Sequence, residues 1–244
     1  MEPIYIDQFE ISDLQCDRFG RLKPSAILWF VQEIAGRHCA LLGLDWDTMA
    51  QKQMFWAIIR HRVQIRRLPK KGEQIRIETW PMPTTRVAFP RNVVAFDESG
   101  REIFRSLSLW VLMDLQSRAM ILPGKSGVEV PGILRGGELS SPRSLTPAAL
   151  SASQTRTVAF TDLDINGHMN NCRYLDWAYD LLPSDFHRQH TIRELTLGYL
   201  SEAREDDVLQ LGHETSQDGL FRLEIQRRQP DGQHRIFCAE IHYE

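Results

Sequence analysis

The chain is poor in cysteine and has no CxxC pair: Cys16, Cys39, Cys172 and Cys238 lie far apart. That argues against a zinc ribbon and a disulfide framework, and it suits a reducing compartment. No run of about 18 apolar residues occurs, so no membrane-spanning helix and no membrane insertion are expected. The opening residues, Met1 to Asp7, lack a basic segment followed by an apolar one, and they are not Arg-rich. Neither a signal peptide nor a transit peptide is expected, and the expected location is cytoplasmic. Charge of one sign is also lacking. The 29 Lys and Arg against 32 Asp and Glu leave a net charge of -3, which gives no argument for nucleic acid or an anionic membrane as partner. Several catalytic signatures are absent. Without GxSxG there is no serine nucleophile elbow. Pro123-Gly124-Lys125-Ser126 hints at a phosphate loop, but Ala119 stands where that loop needs glycine. His187 and His190 have no neighbouring cysteine or carboxylate pattern, so no metal is expected, and no cofactor motif is present.

What is there begins with length. At 244 residues the chain is long enough for one large domain or two small ones, each with a core. The stretch from Pro123 to Ser153 is rich in Pro, Gly and Ser and poor in periodic apolar residues. It reads as a linker between an N-terminal domain, residues 1–122, and a C-terminal domain, residues 154–244.

The two halves resemble each other. Each opens with a short segment ending in Asp-Leu, Ile11 to Leu14 and Phe160 to Leu163. A turn with a glycine follows, Gly20 or Gly167. Next comes a helical stretch, Ser25 to Leu42 in the first half and about Asn171 to Leu182 in the second, with Asn170 or Asn171 as its cap. Alternating segments then predict strands: Ile58 to Ile65 and Glu73 to Glu78, matched by Thr191 to Leu197 and Asp206 to Leu211. Each half ends in a hairpin, turning at Asp97 to Gly100 and at Pro230-Asp231-Gly232. One helix wrapped by a curved antiparallel sheet is the hot-dog arrangement. The fold class is therefore α+β, with two tandem hot-dog domains packed as a pseudo-dimer.

The densest polar segment is Asp162-Leu163-Asp164-Ile165-Asn166-Gly167-His168-Met169-Asn170-Asn171. It sits between a strand and an apolar-faced helix. In an extended segment, Asp164, Asn166 and His168 project to one side. A carboxylate and an imidazole beside a helix N-terminus supply what thioester hydrolysis needs: a base for water and donors for the oxyanion. A polar turn with a capping side chain accounts for the same residues without chemistry.

The segment resembles the active-site loop of the acyl-acyl carrier protein thioesterases, DLDxNxHxNN, and matches each fixed position: Asp162, Leu163, Asp164, Asn166, His168, Asn170 and Asn171. Glu202, in Leu197 to Ala203 before Asp206-Asp207-Val208-Leu209-Gln210, stands where that family carries its glutamate. The likeness extends to Glu78-Thr79-Trp80-Pro81, Arg91 and Ser108 to Asp114. Ala203 replaces a cysteine common in the family, which removes a cysteine nucleophile there. The resemblance implies hydrolysis of fatty acyl-acyl carrier protein to free fatty acid and carrier within fatty acid biosynthesis, with Asp164, Asn166, His168 and Glu202 catalytic. Glu202 or Asp164 would act as base, or Asp164 would attack directly. Main-chain N–H groups of the following helix would hold the oxyanion. It places an acyl-chain pocket, but no catalytic set, in the N-terminal domain, with Ala35 a candidate for its wall. The implied partner is acyl carrier protein, and a homo-oligomer is compatible. Alternatives are an acyl-CoA thioesterase on the same fold, a hot-dog dehydratase and a non-catalytic acyl-binding protein. Comparing the halves, Asp13, Gln15, Asp17 and Phe19 stand against Asp162, Asp164, Asn166 and His168.

Overall fold

In the computed structural model, which describes residues 3–147, 150–230 and 232–244, the chain forms two compact units. The first takes in the chain up to Pro142, the second Arg143–Glu244 together with Pro24–Leu28. The first contains β1 (Tyr5–Glu10), α1 (Pro24–Leu41) from Trp29 on, α2 (Trp46–Gln51), β2 (Met54–Ile65), β3 (Gln74–Pro81), β4 (Phe89–Asp97), β5 (Glu102–Asp114), β6 (Met120–Ile121) and α3 (Pro123–Ser126). The second contains β7 (Ala152–Thr157), α4 (Arg173–Asp180), α5 (Ser184–Gln189), β8 (Ile192–Tyr199), β9 (Val208–Thr215), β10 (Leu220–Gln229) and β11 (Gly232–Tyr243).

The two topologies match. The strands of the first unit are ordered β1-β3-β4-β5-β2, with β6 on β5; those of the second are ordered β7-β9-β10-β11-β8. Within each unit the pairings are antiparallel. Each sheet carries its principal helix. Phe30 of α1 meets Phe9 of β1 edge-on, the ring centroids being 5.1 Å apart, and His38 of α1 stacks on Tyr5. In the second unit Tyr174 of α4 stacks on Phe237 of β11 at 4.8 Å and meets Tyr199 of β8 edge-on. These are two hot-dog units. Phe30, Val31 and Ile34 of α1 are fully buried, and each such side chain contributes about 1.5–3 kcal/mol relative to exposure. Pro24 opens α1, where a missing N–H costs nothing.

Differences from the sequence reading have local causes. The segments at Ile11 to Leu14 and Phe160 to Leu163 are not the opening strands. Single 3-10 turns occupy Asp13–Gln15 and Phe160–Asp162, and the strands lie earlier, as β1 and β7. In β7, Ala-Ser-Gln-Thr-Arg-Thr, every residue is exposed, so no apolar alternation marks it. The helices α2 and α5 have six residues each, too few for a visible period. Asp231, placed in the last hairpin turn, lies outside the described residues; Gln229 and Gly232 pair across that turn.

The segment after β6 is anchored to the first unit. Ile133 N–H donates to Pro81 O at 2.9 Å, and Arg135 pairs with Glu78 at 2.5 Å while covering the Trp80 ring. A Cβ on Gly132 would fall 2.2 Å from Met82 O, so only glycine permits this approach.

One buried pair predicts a pH dependence. His61 of β2 is 1% exposed, and its Nε2 lies 2.5 Å from Ser106 Oγ of β5. Burial pushes its imidazole down from 6.5 to about 3. Below about pH 6.5 the unfolded chain binds a proton that the folded one refuses, so stability falls as pH drops from there towards 3. Chemical denaturation of wild type and His61→Gln across this window should show a steeper decline for wild type; parallel curves would exclude His61 as the cause.

Candidate active site

The loop between the 3-10 turn at Phe160–Asp162 and α4 folds back on itself rather than running extended. Asp164 N–H donates to His168 O at 2.8 Å and Gly167 N–H to Asp164 O at 3.0 Å. The Asp164 carboxylate accepts from the main-chain N–H groups of Asn166 at 2.8 Å and His168 at 3.3 Å through one oxygen, Oδ1. This is an aspartate turn closed by the residue's own side chain. Gly167 has φ +72°, which glycine adopts without strain. Asp164, Asn166 and His168 thus do not share one side: Asn166 is exposed at the apex, and the His168 ring is mostly buried.

The first unit contains the same loop. Asp17 N–H donates to Arg21 O and Gly20 N–H to Asp17 O. Oδ1 of Asp17 accepts from Phe19 N–H at 2.8 Å and Arg21 N–H at 3.0 Å. Gln15 closes its 3-10 turn by accepting from Ser12 N–H, as Asp162 does from Ala159 N–H. The matched pairs are therefore Gln15 with Asp162, Asp17 with Asp164, Phe19 with Asn166 and Arg21 with His168. The Asp-Leu alignment was two residues out of register. The first unit retains the loop's aspartate but has neither the asparagine nor the histidine. Leu22 N–H meets Pro69 O where Met169 N–H meets Ala203 O, so the counterpart of Glu202 is Leu68.

The loop is pinned to the segment after β8. His168 pairs with Arg204 in an isolated bridge, and this brings His168 Nε2 to 3.1 Å from Glu202 Oε2. An ionised carboxylate only accepts, so the ring nitrogen facing it carries the proton. The Glu202 side chain is 36% exposed and that of His168 15%; the carboxylate is oriented by the ring yet open to water. Arg227 of β10 bonds Asp207 at 2.7 Å and reaches Glu202 O at 3.4 Å, fixing the backbone that carries the glutamate. Arg204 and Arg227 were not singled out from sequence, and Asp207 entered only within the segment that follows Glu202; nothing in the spacing of the two arginines marks them, because the β-meander brings them together.

The helix N-terminus is less available than its sequence suggests. The helix α4 starts at Arg173 and its N-cap, Cys172, has no side-chain capping bond; Asn170 instead closes a turn just ahead of the helix. Its Oδ1 accepts from Cys172 N–H and its carbonyl from Arg173 N–H, both at 2.9 Å. Those two amides are not available to an oxyanion. Cys172 is no nucleophile either: burial, with Asp176 adding to it, pushes its thiol up to about 12, so it stays protonated at neutral pH. His187 and His190 bond main-chain carbonyls and stack on Tyr179 and Phe186. No metal-ligating cluster exists among the described residues.

The first unit contains a cavity of about 180 Å³, walled by Ala35 and Cys39 of α1, Trp46, Trp56, Phe89, Trp110 and a few others. The mostly apolar lining suits a hydrocarbon group.

Residues 2–122 match the family model for the acyl-ACP thioesterase N-terminal domain, and residues 146–243 that for the C-terminal domain. A chloroplastic palmitoyl-acyl carrier protein thioesterase of Gossypium hirsutum is 28% identical over 222 residues, covering 85% of this chain and 54% of that one. The chain thus spans about half the length of the curated relatives it matches. Among solved structures, an acyl-ACP thioesterase from Bacteroides thetaiotaomicron superposes with a TM-score of 0.86 at 25% identity, covering 99% of this chain and 98% of that one. The 12:0-ACP thioesterase of Umbellularia californica gives 0.83 at 21% identity, covering 100% and 98%, a likeness of fold.

Proposed function

From the premise that this chain belongs to the acyl-ACP thioesterase family, we propose that it hydrolyses fatty acyl-acyl carrier protein to free fatty acid and carrier thiol. The observation that carries the reading is the contact of His168 Nε2 with the partly open Glu202 carboxylate at 3.1 Å. Glu202 takes a proton from water as that water adds to the thioester carbonyl. The tetrahedral intermediate collapses, the C–S bond breaks, and the thiolate recovers the proton from Glu202. His168 holds the carboxylate in position. Asn166, exposed at the loop apex, offers its carboxamide N–H to the oxyanion, a role that the engaged amides of Cys172 and Arg173 leave open. Asp164 builds the loop. Its Oδ1 is engaged with two amides, and Asp17 does the same work in a loop that has neither histidine nor glutamate.

The acyl tail occupies the cavity of the first unit. The substrate comes from reactions that build acyl chains on a carrier, which places the protein in fatty acid biosynthesis. Four unpaired cysteines suit a reducing cytoplasm. In the basic run Arg60 to Lys71, where an acidic carrier would dock, several charges are taken up by internal pairs. Arg66 faces Glu102, Arg67 bridges Glu73 and Asp97, and Lys71 faces Asp13.

The test is thiol release from matched acyl-carrier and acyl-coenzyme A thioesters, followed with a thiol reagent. The expected result is release from both, with the higher kcat/KM on the carrier. Preference for coenzyme A would make this an acyl-CoA thioesterase, and binding without release would make it a binding protein.

A further inference from the structure

The stretch after α3 reads in sequence as a linker, yet part of it walls the cavity of the first unit. Val130 lines that cavity and packs against the cluster that includes Leu44, Phe89, Leu112 and Val128. Val128 is buried, Glu129 exposed and Val130 half-buried. That alternation puts the two valines on one side of an extended segment. Pro131 favours the extension, because its ring disfavours a helical conformation at the residue before it.

The segment is tethered on both sides of Val130. Ahead of it, Val128 is buried and its N–H donates to Ser126 Oγ at 3.1 Å, a hydroxyl that in turn donates to Pro123 O at 2.8 Å. Behind it, Gly132 lies against Met82 O and Ile133 N–H donates to Pro81 O at 2.9 Å. Arg135 then pairs with Glu78 and covers the Trp80 ring. Pro81 is itself part of the cavity wall, so the second tether ends on the structure that Val130 helps to close. The rings of the wall are held as well. Trp56 donates Nε1–H to Leu44 O at 2.9 Å and meets Phe89 edge-on at 5.0 Å, and Trp110 donates to Ser108 Oγ at 2.8 Å. A wall fixed in this way excludes an extra methylene rather than yielding to it, since close-packed side chains have little room to shift.

We propose that this tethered segment is part of the acyl site and that Val130 is a specificity residue that limits the length of the acyl chain. The proposal rests on the reading of this cavity as the acyl site. It assigns chain-length selection to a residue outside the helix and strands of the hot-dog unit.

Binding can be measured apart from turnover, because Trp46, Trp56 and Trp110 line the cavity and report occupancy by fluorescence. The intact chain is titrated with methyl octanoate, methyl decanoate, methyl dodecanoate and methyl tetradecanoate. Val130→Ala removes two methyl groups. It should shift the affinity ratio of the longest to the shortest ester towards the longest by about tenfold, the effect of two more buried methylenes. Val130→Phe should shift that ratio towards the shortest ester by a similar factor. Glu129→Ala, on the exposed side, should keep the wild-type ratio. An unmoved ratio in the Val130 variants, even with a lowered melting temperature, would mark a purely structural residue and overturn the proposal. Binding of none of the esters by wild type, or an equal shift in Glu129→Ala, would overturn it too. Should Val130→Phe fail to fold by circular dichroism, Val130→Leu takes its place, with a smaller shift in the same direction. Shifted ester binding in a protein that releases no thiol from acyl carrier would remove the hydrolase reading and leave this one standing.

Discussion

Glu202→Gln should lower kcat for acyl-carrier thioester hydrolysis by about 10²–10⁴-fold, the range for loss of a general base, with KM nearly unchanged. The amide keeps the shape and can still contact His168, but it cannot take a proton from water. Its side chain is partly exposed, and the backbone at this point is held by Arg227, so folding should survive. His168→Ala should cost less than or as much as Glu202→Gln, since the ring only orients the carboxylate. The pair acts as a unit, so the double variant should be little worse than the poorer single one. Wild-type kcat in purified, folded Glu202→Gln would show that the base lies elsewhere.

The second large effect separates two roles for Asp164. As the loop's architect it needs an acceptor oxygen at Oδ1, which asparagine retains and alanine does not. Asp164→Ala should therefore lower kcat by about 10² or more, because displacement of the catalytic groups by even 1 Å is that damaging. Asp164→Asn should stay within about tenfold of wild type. A nucleophile or base would be lost equally in both. The matching change Asp17→Ala removes the same two hydrogen bonds in the first unit and should lower the melting temperature with kcat retained. Asp164→Asn as inactive as Asp164→Ala would make Asp164 a chemical participant.

How far the sequence carried this reading depends on the element. Strand stretches with alternating burial, such as His61 to Ile65 of β2 and Val208 to Leu211 of β9, were legible because one face is buried and the other is not. So was α1, which buries most of its circumference. The strands β1 and β7 were displaced to later segments: β7 has no apolar residue to mark a face beyond Ala152, and the short polar runs after both strands carried the more conspicuous Asp-Leu pairs. Those pairs also misaligned the two loops. The physical equivalence follows Asp17-Arg18-Phe19-Gly20 and Asp164-Ile165-Asn166-Gly167, where a side-chain-closed turn needs its aspartate three residues before a glycine with positive φ. That spacing was available in the sequence. The contact of His168 with Glu202 was not. The two residues lie on segments distant in sequence that the Met169–Ala203 hydrogen bond and the His168–Arg204 bridge bring together, and resemblance, not spacing, brought Glu202 forward. Arg227 and Arg204 had neither signal. Asn170 was read as the helix cap, but it closes the turn just before the helix, and that turn engages two of the amides expected to hold the oxyanion.

Single turnover in ¹⁸O-water with enzyme in excess over acyl-carrier thioester tests most directly whether this protein cleaves a thioester by base-assisted water attack. The expected result is carrier thiol released in step with fatty acid that contains one ¹⁸O, while the peptides containing Asp164 and Glu202 stay unlabelled. Unlabelled fatty acid with ¹⁸O in either carboxylate would mean attack by the protein itself, and absence of thiol release would contradict hydrolysis altogether.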